Sequence, residues 1–254
     1  MRLEVLGCDG GIGKGLRTTA FLVDDDVLID AGSGVGELAE AALHRIEHVF
    51  LTHAHLDHIA FLPLLIDSTM ERRARPVVVH ATEETLRALR EHVFNWKIWP
   101  DFTRIPSAEK PALRYVAVDL GGTAELGKRR FTPLPAQHTV PTVGYRLDSG
   151  QASLVFTGDT ARCDAFWDVV NRIEKLKYLI IETAFGDADY SRAEASRHLC
   201  PKSLADSLEK LERPAEVFIT HMKPGHHETI MDEISARPWA SPPRQLTCGQ
   251  VLEF

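Results

Sequence analysis

The sequence predicts an α/β protein, an αββα sandwich of two mixed sheets with helices on the outer faces. Two observations carry that fold class. Short apolar runs of strand type alternate with helical segments in both halves of the 254-residue chain. No Pro/Gly/Ser-rich linker divides it, so one domain is expected over 1–254, with an aromatic-rich insertion at about 94–111. A third observation locates the working edge. Val49–Thr52 runs into His53-Ala54-His55-Leu56-Asp57-His58, Phe131–Gln137 into His138, Leu154–Gly158 into Asp159, and Val217–Thr220 into His221. Strand ends meet along one edge of a layered sheet, so residues far apart in sequence can converge there.

In chain order, strand Arg2–Leu6 leads into the glycine-rich Gly7–Gly15. Strands Ala20–Val23 and Val27–Ile29 flank the turn Asp24-Asp25-Asp26, and the second ends at Asp30-Ala31-Gly32. Gly36–His48 reads as a helix, because Leu38, Ala41, Ala42 and Ile46 approximate one apolar face. The strand before His53 is followed by a helix over Ile59–Arg73, a strand over Pro76–His80 and a helix over Thr82–Val93 capped near Thr82. Phe94–Pro111 breaks the rhythm. Its rings (Phe94, Trp96, Trp99, Phe102) suit core packing or a homodimer interface, with base stacking as the functional alternative. Strands recur at Tyr115–Val118, Arg130–Pro135, Gly144–Leu147 and Ser153–Phe156. Helix Ala165–Lys175 precedes strand Tyr178–Ile181, helix Ser203–Leu211 precedes strand Glu216–Ile219, and Val251–Phe254 closes the chain.

Composition narrows the function classes. A hydrophobic share of 44% and a charged share of 26% are those of a soluble globular protein. No apolar run approaches the ~20 residues that span a bilayer, and the N-terminus is too charged for a signal peptide. Cys8, Cys163, Cys200 and Cys248 form no C-x-x-C pair, which fits free thiols in a reducing cytoplasm. The net charge of −7 argues against gripping extended nucleic acid. It leaves a small anionic substrate open, since bound dications would supply local positive charge. Gly10-Gly11-Ile12-Gly13-Lys14-Gly15 fails as a phosphate loop, with Cys8 at the first glycine position and Gly15 at the hydroxyl position. It reads instead as a loop near the same edge.

The six residues from His53 to His58 hold three histidines and an aspartate, a donor set for zinc, manganese or iron. His53 and His55 are two apart, so an extended chain directs both to one side. Asp57 and His58 follow where the chain must turn, and Leu56 and Ile59 are expected to pack beneath and brace the loop.

His53-Ala54-His55-Leu56-Asp57-His58, with His138, Asp159 and His221 in that order, resembles the five-motif signature of the metallo-β-lactamase fold superfamily. Val27–Gly32 resembles its early strand and turn. The resemblance implies two divalent ions, zinc first, with manganese or iron as alternatives. It places one ion on His53, His55 and His138, the other on Asp57, His58 and His221, with Asp159 bridging. A metal-bridging hydroxide held by Asp57 and Asp159 is then the implied nucleophile. Asp30, Thr160 and Glu182 are candidates for orienting the ligand histidines.

Within the superfamily, His55 favours hydrolysis over the redox di-iron members, which carry a carboxylate there. Asp159 disfavours the secreted β-lactamases, which carry a cysteine. Ile219-Thr220-His221-Met222-Lys223-Pro224 and Leu179–Phe185 resemble the class II 3′,5′-cyclic-nucleotide phosphodiesterases, although Phe61 and Pro63–Ile66 depart from that pattern. The resemblance implies a cytoplasmic enzyme taking a small anionic substrate, a cyclic nucleotide, with no membrane partner. Lys223, His226 and His227 are candidates to contact phosphate or protonate the leaving group. Gln137–Tyr145 resembles RNase Z, the alternative phosphodiesterase. A glyoxalase II-like thioesterase or lactonase, or a non-catalytic metal-binding regulator, completes the alternatives.

Overall fold

In the computed structural model, which describes residues 1–254, the first sheet is built from β1 (Arg2–Gly7), β2 (Ala20–Val23), β3 (Val27–Ile29), β4 (His48–Phe50), β5 (Val77–Ala81) and β6 (Leu113–Ala117). The second contains β7 (Ala124–Leu126), β8 (Arg129–Pro135), β9 (Val143–Asp148), β10 (Ser153–Phe156), β11 (Leu176–Glu182), β12 (Glu216–Thr220) and β13 (Arg244–Gln245). β14 (Val251–Glu253) returns to the outer edge of the first sheet beside β1. Each sheet is mixed. β1 to β3 pair antiparallel and β3 to β6 parallel, while β7 to β10 pair antiparallel and β10 to β13 parallel.

The central strands are β-branched and aromatic because both of their faces are covered. Val27, Ile29 and Phe50 point between the sheets, where they meet Phe131, Tyr145, Leu147 and Phe156 of the second sheet. Leu28, Val49 and Leu51 point the other way, into a layer closed by α3 (Leu62–Thr69) and α4 (Glu83–His92). On the far side, Val155, Leu179, Ile181 and Ile219 are covered by α5 (Asp164–Val170), α7 (Pro201–Leu208) and α8 (His227–Ser235). These three apolar layers are the interior of an αββα sandwich, each large side chain contributing about 1.5–3 kcal/mol by leaving water. No helix is long and apolar enough to cross a membrane.

Two expected helices differ. Gly36–His48 is not continuous: a 3-10 turn covers Ser33–Glu37, Leu38 and Ala39 are extended, and only α1 (Glu40–Leu43) is helical. The amides of Glu47 and His48 both donate to the Asp26 carbonyl at 2.8 and 3.1 Å, which draws the segment into strand pairing. The Ile59–Arg73 helix divides into α2 (Leu56–Ile59), α3 and a 3-10 turn, because Pro63 inside a continuous helix would clash with the carbonyl four residues back. β7, α6 (Tyr190–Ser196), α8 and β13 had no clear counterpart in the sequence pattern. In the aromatic segment, Phe94 and Phe102 enter the first core layer, whereas Trp96 and Ile98 are exposed.

Candidate metal centre

β4, β8, β10 and β12 all run toward one edge, and each delivers its candidate just past its last paired residue. The chain beyond β4 passes Leu51 and Thr52, then presents His53 and His55 before α2 turns Asp57 and His58 inward. His138 follows β8, Asp159 follows β10 through Gly158, and His221 follows β12 directly. His221 has φ of +63°, a turn at the strand end that aims the ring back into the site. Its amide donates to the Cys8 carbonyl at 2.7 Å. Gly32 lies under the loop because a Cβ there would stand 2.4 Å from the Asp57 carbonyl oxygen.

Donor atoms of all seven candidates converge around Asp159. Its Oδ1 is 3.4 Å from His58 Nε2, and its Oδ2 is 3.3 Å from His221 Nε2, 3.7 Å from His53 Nε2 and 3.8 Å from His138 Nε2. His55 Nδ1 is 3.3 Å from His138 Nε2, and Asp57 Oδ2 is 3.8 Å from His221 Nε2. Two groupings emerge, His53/His55/His138/Asp159 and Asp57/His58/His221, each with ligating atoms within 4.8 Å of one another. These separations are too long for good hydrogen bonds and suit atoms that share a cation. His53 Nε2, His58 Nε2 and Asp159 Oδ1 are buried without a hydrogen-bond partner, an arrangement costing about 1–3 kcal/mol per atom unless something binds them. The donor set and its orphaned atoms fit divalent ions.

The outward ring nitrogens of His53, His58 and His138 are held by hydroxyl, carboxylate and carbonyl oxygens, whereas Nδ1 of His221 is buried without a partner. Asp30, fully buried at φ +57°, accepts from His58 Nδ1 at 2.7 Å, from the Thr52 amide at 2.7 Å and from Thr52 Oγ1. Thr52 Oγ1 in turn meets His53 Nδ1 at 2.9 Å. His138 Nδ1 donates to the Arg197 carbonyl at 3.0 Å, while Arg197 Nη1 donates to the His138 carbonyl at 2.6 Å. Such contacts fix the tautomer so that the inward nitrogen is free.

Electrostatics follow the same layout. Burial alone would raise Asp159, but its imidazole neighbours, among them the protonated His58, hold its carboxyl well below the usual range. Burial opposes charge on His58 as well, yet Asp159 and Asp30 together hold it well above the usual imidazole value. His53 and His221 are driven well down by burial, and His138 falls to about 4 for the same reason. Neutral imidazoles are the ligating form, so His53, His138 and His221 are ready to bind, whereas His58 would give up its proton to an ion.

The candidates for supporting roles divide. Asp30 touches a candidate ligand directly. Thr160 instead donates its amide to Glu182 Oε1 at 3.0 Å, and Glu182 carries His198, whose Nδ1 donates to Oε1 at 2.7 Å. Lys223 Nζ enters the rim, 3.3 Å from His221 Nε2 and 3.8 Å from Asp57 Oδ2, and donates to the Gly10 carbonyl at 2.7 Å. The glycine loop therefore does reach this edge. His226 faces Asp189, 3.9 Å away, and the Phe185 ring, while His227 Nε2 donates to Asp9 Oδ1 at 2.8 Å. Leu56 corrects an expectation: it is 71% exposed at the first turn of α2, where only Ile59 packs beneath the loop.

His198, to which the sequence pattern assigns no chemistry, also reaches this cluster. It is buried between α6 and α7, stacks on His221 with ring centroids 5.2 Å apart, and shares a grouping with Asp159 and His221. Burial opposes its charge, but the Glu182 carboxylate outweighs burial and holds it above its ordinary value. A cavity of about 590 Å³ opens beside His138, between the Thr82 and Val118–Leu120 segments and the Ala136–Val143 loop, with Arg197 in its wall.

Residues 25–222 match the family model described as the beta-lactamase superfamily domain. A Yersinia pestis protein named probable 3′,5′-cyclic-nucleotide phosphodiesterase is 27% identical over 275 residues, covering 88% of this chain and 78% of its own. A Mycobacterium bovis ribonuclease Z is 31% identical over 173 residues, covering 61% of this chain and 59% of its own. Unliganded yeast PDE1 superposes with a TM-score of 0.83 at 16% identity, covering 100% of this chain and 99% of that one. The metallo-beta-lactamase fold protein YhfI from Bacillus subtilis gives 0.78 at 20% identity, with 99% of each chain covered.

Proposed function

Since the chain belongs to the beta-lactamase superfamily through the match over residues 25–222, we propose that it is a metal-dependent phosphodiesterase that opens 3′,5′-cyclic nucleotides. The observation that carries the reading is the convergence of imidazole and carboxylate donors from both sheets on Asp159, with buried inward atoms left unpartnered. His53, His55 and His138 would hold one divalent ion and Asp57, His58 and His221 a second, with Asp159 between them. Histidine and carboxylate donors without thiolate suit zinc or manganese. When bound, such ions activate water at neutral pH and neutralise charge on a phosphoryl group.

The chain's own residues supply the rest. Thr52 keeps His53 in the tautomer whose inward nitrogen is free, and Asp30 holds the Nδ1 proton of His58, so the proton an ion would displace is the one on Nε2. Lys223, at the rim, offers its ammonium to a phosphate oxygen. His198 has its Nδ1 committed to Glu182, so Nε2 is the nitrogen left for the site. Glu182 favours the protonated ring, and transfer of that proton from Nε2 to the departing 3′-oxygen would complete ring opening to a 5′-monophosphate. The cavity beside His138, at about 590 Å³, lies within the size range of small-ligand sites and would take the nucleoside.

Resemblance to the Yersinia pestis phosphodiesterase over 88% of the chain supports this substrate class. Ribonuclease Z activity is the second reading, favoured by the 31% identity to the Mycobacterium bovis protein. The chain's net charge of −7 weighs against it. The deciding experiment assays Zn²⁺- and Mn²⁺-loaded protein on cyclic AMP, cyclic GMP and a tRNA precursor. Release of 5′-AMP or 5′-GMP is expected. Precursor cleavage without cyclic-nucleotide turnover would replace this reading with the second.

A further inference from the structure

Outside the metal centre, two cysteines from opposite ends of the chain stand side by side. Cys8 follows the last residue of β1, and Cys248 lies three residues before β14 begins. Their sulfurs are 4.0 Å apart across a separation of 240 residues. The backbones are held together beside the pair. The Val5 amide donates to the Gln250 carbonyl at 2.9 Å, and the Gly249 amide donates to the Val5 carbonyl at 2.7 Å. Cys8 is buried and Cys248 half-buried, so one sulfur is sheltered and the other accessible.

The surroundings of the two thiols differ in the sense that separates an attacking thiol from a resolving one. The Cys8 thiol beside it, with a further contribution from the Arg17 guanidinium, brings Cys248 down to about 7 against burial and the Asp9 carboxylate. Cys8 is the sheltered partner, its sulfur also 3.4 Å from the Leu246 carbonyl oxygen. A cation beside an accessible sulfur, with a second sulfur at contact distance, is the arrangement of reactive cysteine pairs. Cys200 is unlike them. It is buried just before α7, where its sulfur lies 3.6 Å from Ser203 Oγ and its amide donates to that same oxygen.

We infer that Cys248 and Cys8 form a reactive dithiol that takes a low-molecular-weight disulfide such as oxidised glutathione as its substrate. Cys248 thiolate attacks one sulfur of that disulfide, forming a mixed disulfide and expelling one thiolate. The Cys8 sulfur then attacks Cys248 Sγ and displaces the second small thiol, while the Cys8 proton passes to a released thiolate. The protein loses two hydrogens and the small disulfide is reduced to two thiols. Bond formation needs the sulfurs to close from 4.0 Å to about 2.05 Å, which calls for a turn of the half-buried Cys248 side chain and a small shift of the loop carrying it. The product would tie the end of β1 to the C-terminal turn. Because the Cys8 carbonyl accepts from the His221 amide and from Thr220 Oγ1, this link is anchored one hydrogen bond from the metal centre.

The test equilibrates the metal-free protein with reduced and oxidised glutathione at a series of ratios, traps free thiols by alkylation and maps the peptides without reduction. A Cys8–Cys248 peptide is expected, lost again on adding dithiothreitol, with Cys163 and Cys200 still alkylated. Cys248→Ser should abolish that peptide and leave Cys8 alkylated, and Cys8→Ser should stop at a persistent glutathione adduct on Cys248. Four alkylatable thiols at the most oxidising ratio would overturn the inference, as would a crosslink that persists in Cys248→Ser. Cys248 is at the surface, so its variant keeps the test decisive even if the buried Cys8→Ser fails to fold.

Discussion

Replacing Asp30 by asparagine separates orientation of the metal centre from stability of the fold. Asp30 sits at φ +57°, a conformation that asparagine adopts about as readily as aspartate, so the backbone need not move. Asparagine's carbonyl can still accept from the Thr52 amide, now 2.7 Å from Oδ1. Its NH₂ would replace Oδ2, which accepts from His58 Nδ1 at 2.7 Å. Two donors would then face each other unless His58 moves its proton to Nε2, the nitrogen aimed at the metal centre. Either outcome removes a charge-assisted hydrogen bond worth about 1.5–3 kcal/mol from the ion-binding form. At about 1.4 kcal/mol per tenfold change, ion affinity should fall roughly 10- to 100-fold.

Stability of the ion-free protein should respond less. Burial pushes Asp30 up, meaning that its charge is held in the apolar interior at a cost, and asparagine carries no such charge. The expected change in apo stability is therefore within about 1–2 kcal/mol, from one exchanged hydrogen bond. Chelator-competition titration with Zn²⁺ measures the first quantity, and urea unfolding in EDTA measures the second. Wild-type ion affinity in Asp30→Asn would refute the tautomer argument. An apo destabilisation as large as the affinity loss would show Asp30 to be a fold residue first.

His198→Asn should lower turnover of cyclic AMP about 10²- to 10⁴-fold. It should change hydrolysis of bis(4-nitrophenyl) phosphate far less, because nitrophenolate departs without a proton; equal losses on both substrates would remove His198 as the acid. His55→Ala and Asp159→Ala should each lose bound metal and activity together while circular dichroism stays native, and full activity in either would break the ligand assignment. His80, buried against the Phe50 ring and 3.0 Å from His48 Nδ1, is pushed by burial from 6.5 to about 4. Both states are neutral there above pH 6.5. As pH falls through 6.5 only the unfolded chain gains the proton, so stability drops, by about 3 kcal/mol at pH 4. Urea midpoints of the EDTA-treated protein between pH 7 and 4 should therefore fall less steeply in His80→Leu, and parallel slopes would contradict this.

What could be read from the sequence was what depends on local order. His53 to His58 occupy one short stretch that runs from a strand-end loop into α2, and His138, Asp159 and His221 each follow a strand whose own residues announce it. Asp30 and Lys223 were legible for the same reason, one closing a strand and the other two residues past His221. His198 was not. Its position depends on Arg197 turning through φ +55° after α6, and on Glu182 arriving from a strand 16 residues earlier. Neither event leaves a periodic trace near His198. The failed helix over Gly36–His48 has a related cause. Its apolar residues approximate a helical face, but Asp26, ten residues before the segment begins, takes the last two amides into sheet pairing. A short helix of ordinary propensity has no reserve against that competition.

The same division explains why the centre is shared between two sheets. Asp30, Thr52 and the His53–His58 loop come from the first sheet, while His138, Asp159, Glu182 and His221 come from the second. Neither half alone surrounds a cation. Bringing them together buries Asp159 among four imidazoles and leaves Oδ1, His53 Nε2 and His58 Nε2 without ordinary partners. At about 1–3 kcal/mol for each orphaned atom, the ion-free fold carries several kcal/mol that bound ions would recover. Ions that bind only the folded chain add stability in proportion to the logarithm of their concentration over Kd. The donors would therefore do two jobs with one geometry: prepare the proposed chemistry at the edge, and let bound ions fasten the two sheets where the apolar layers end.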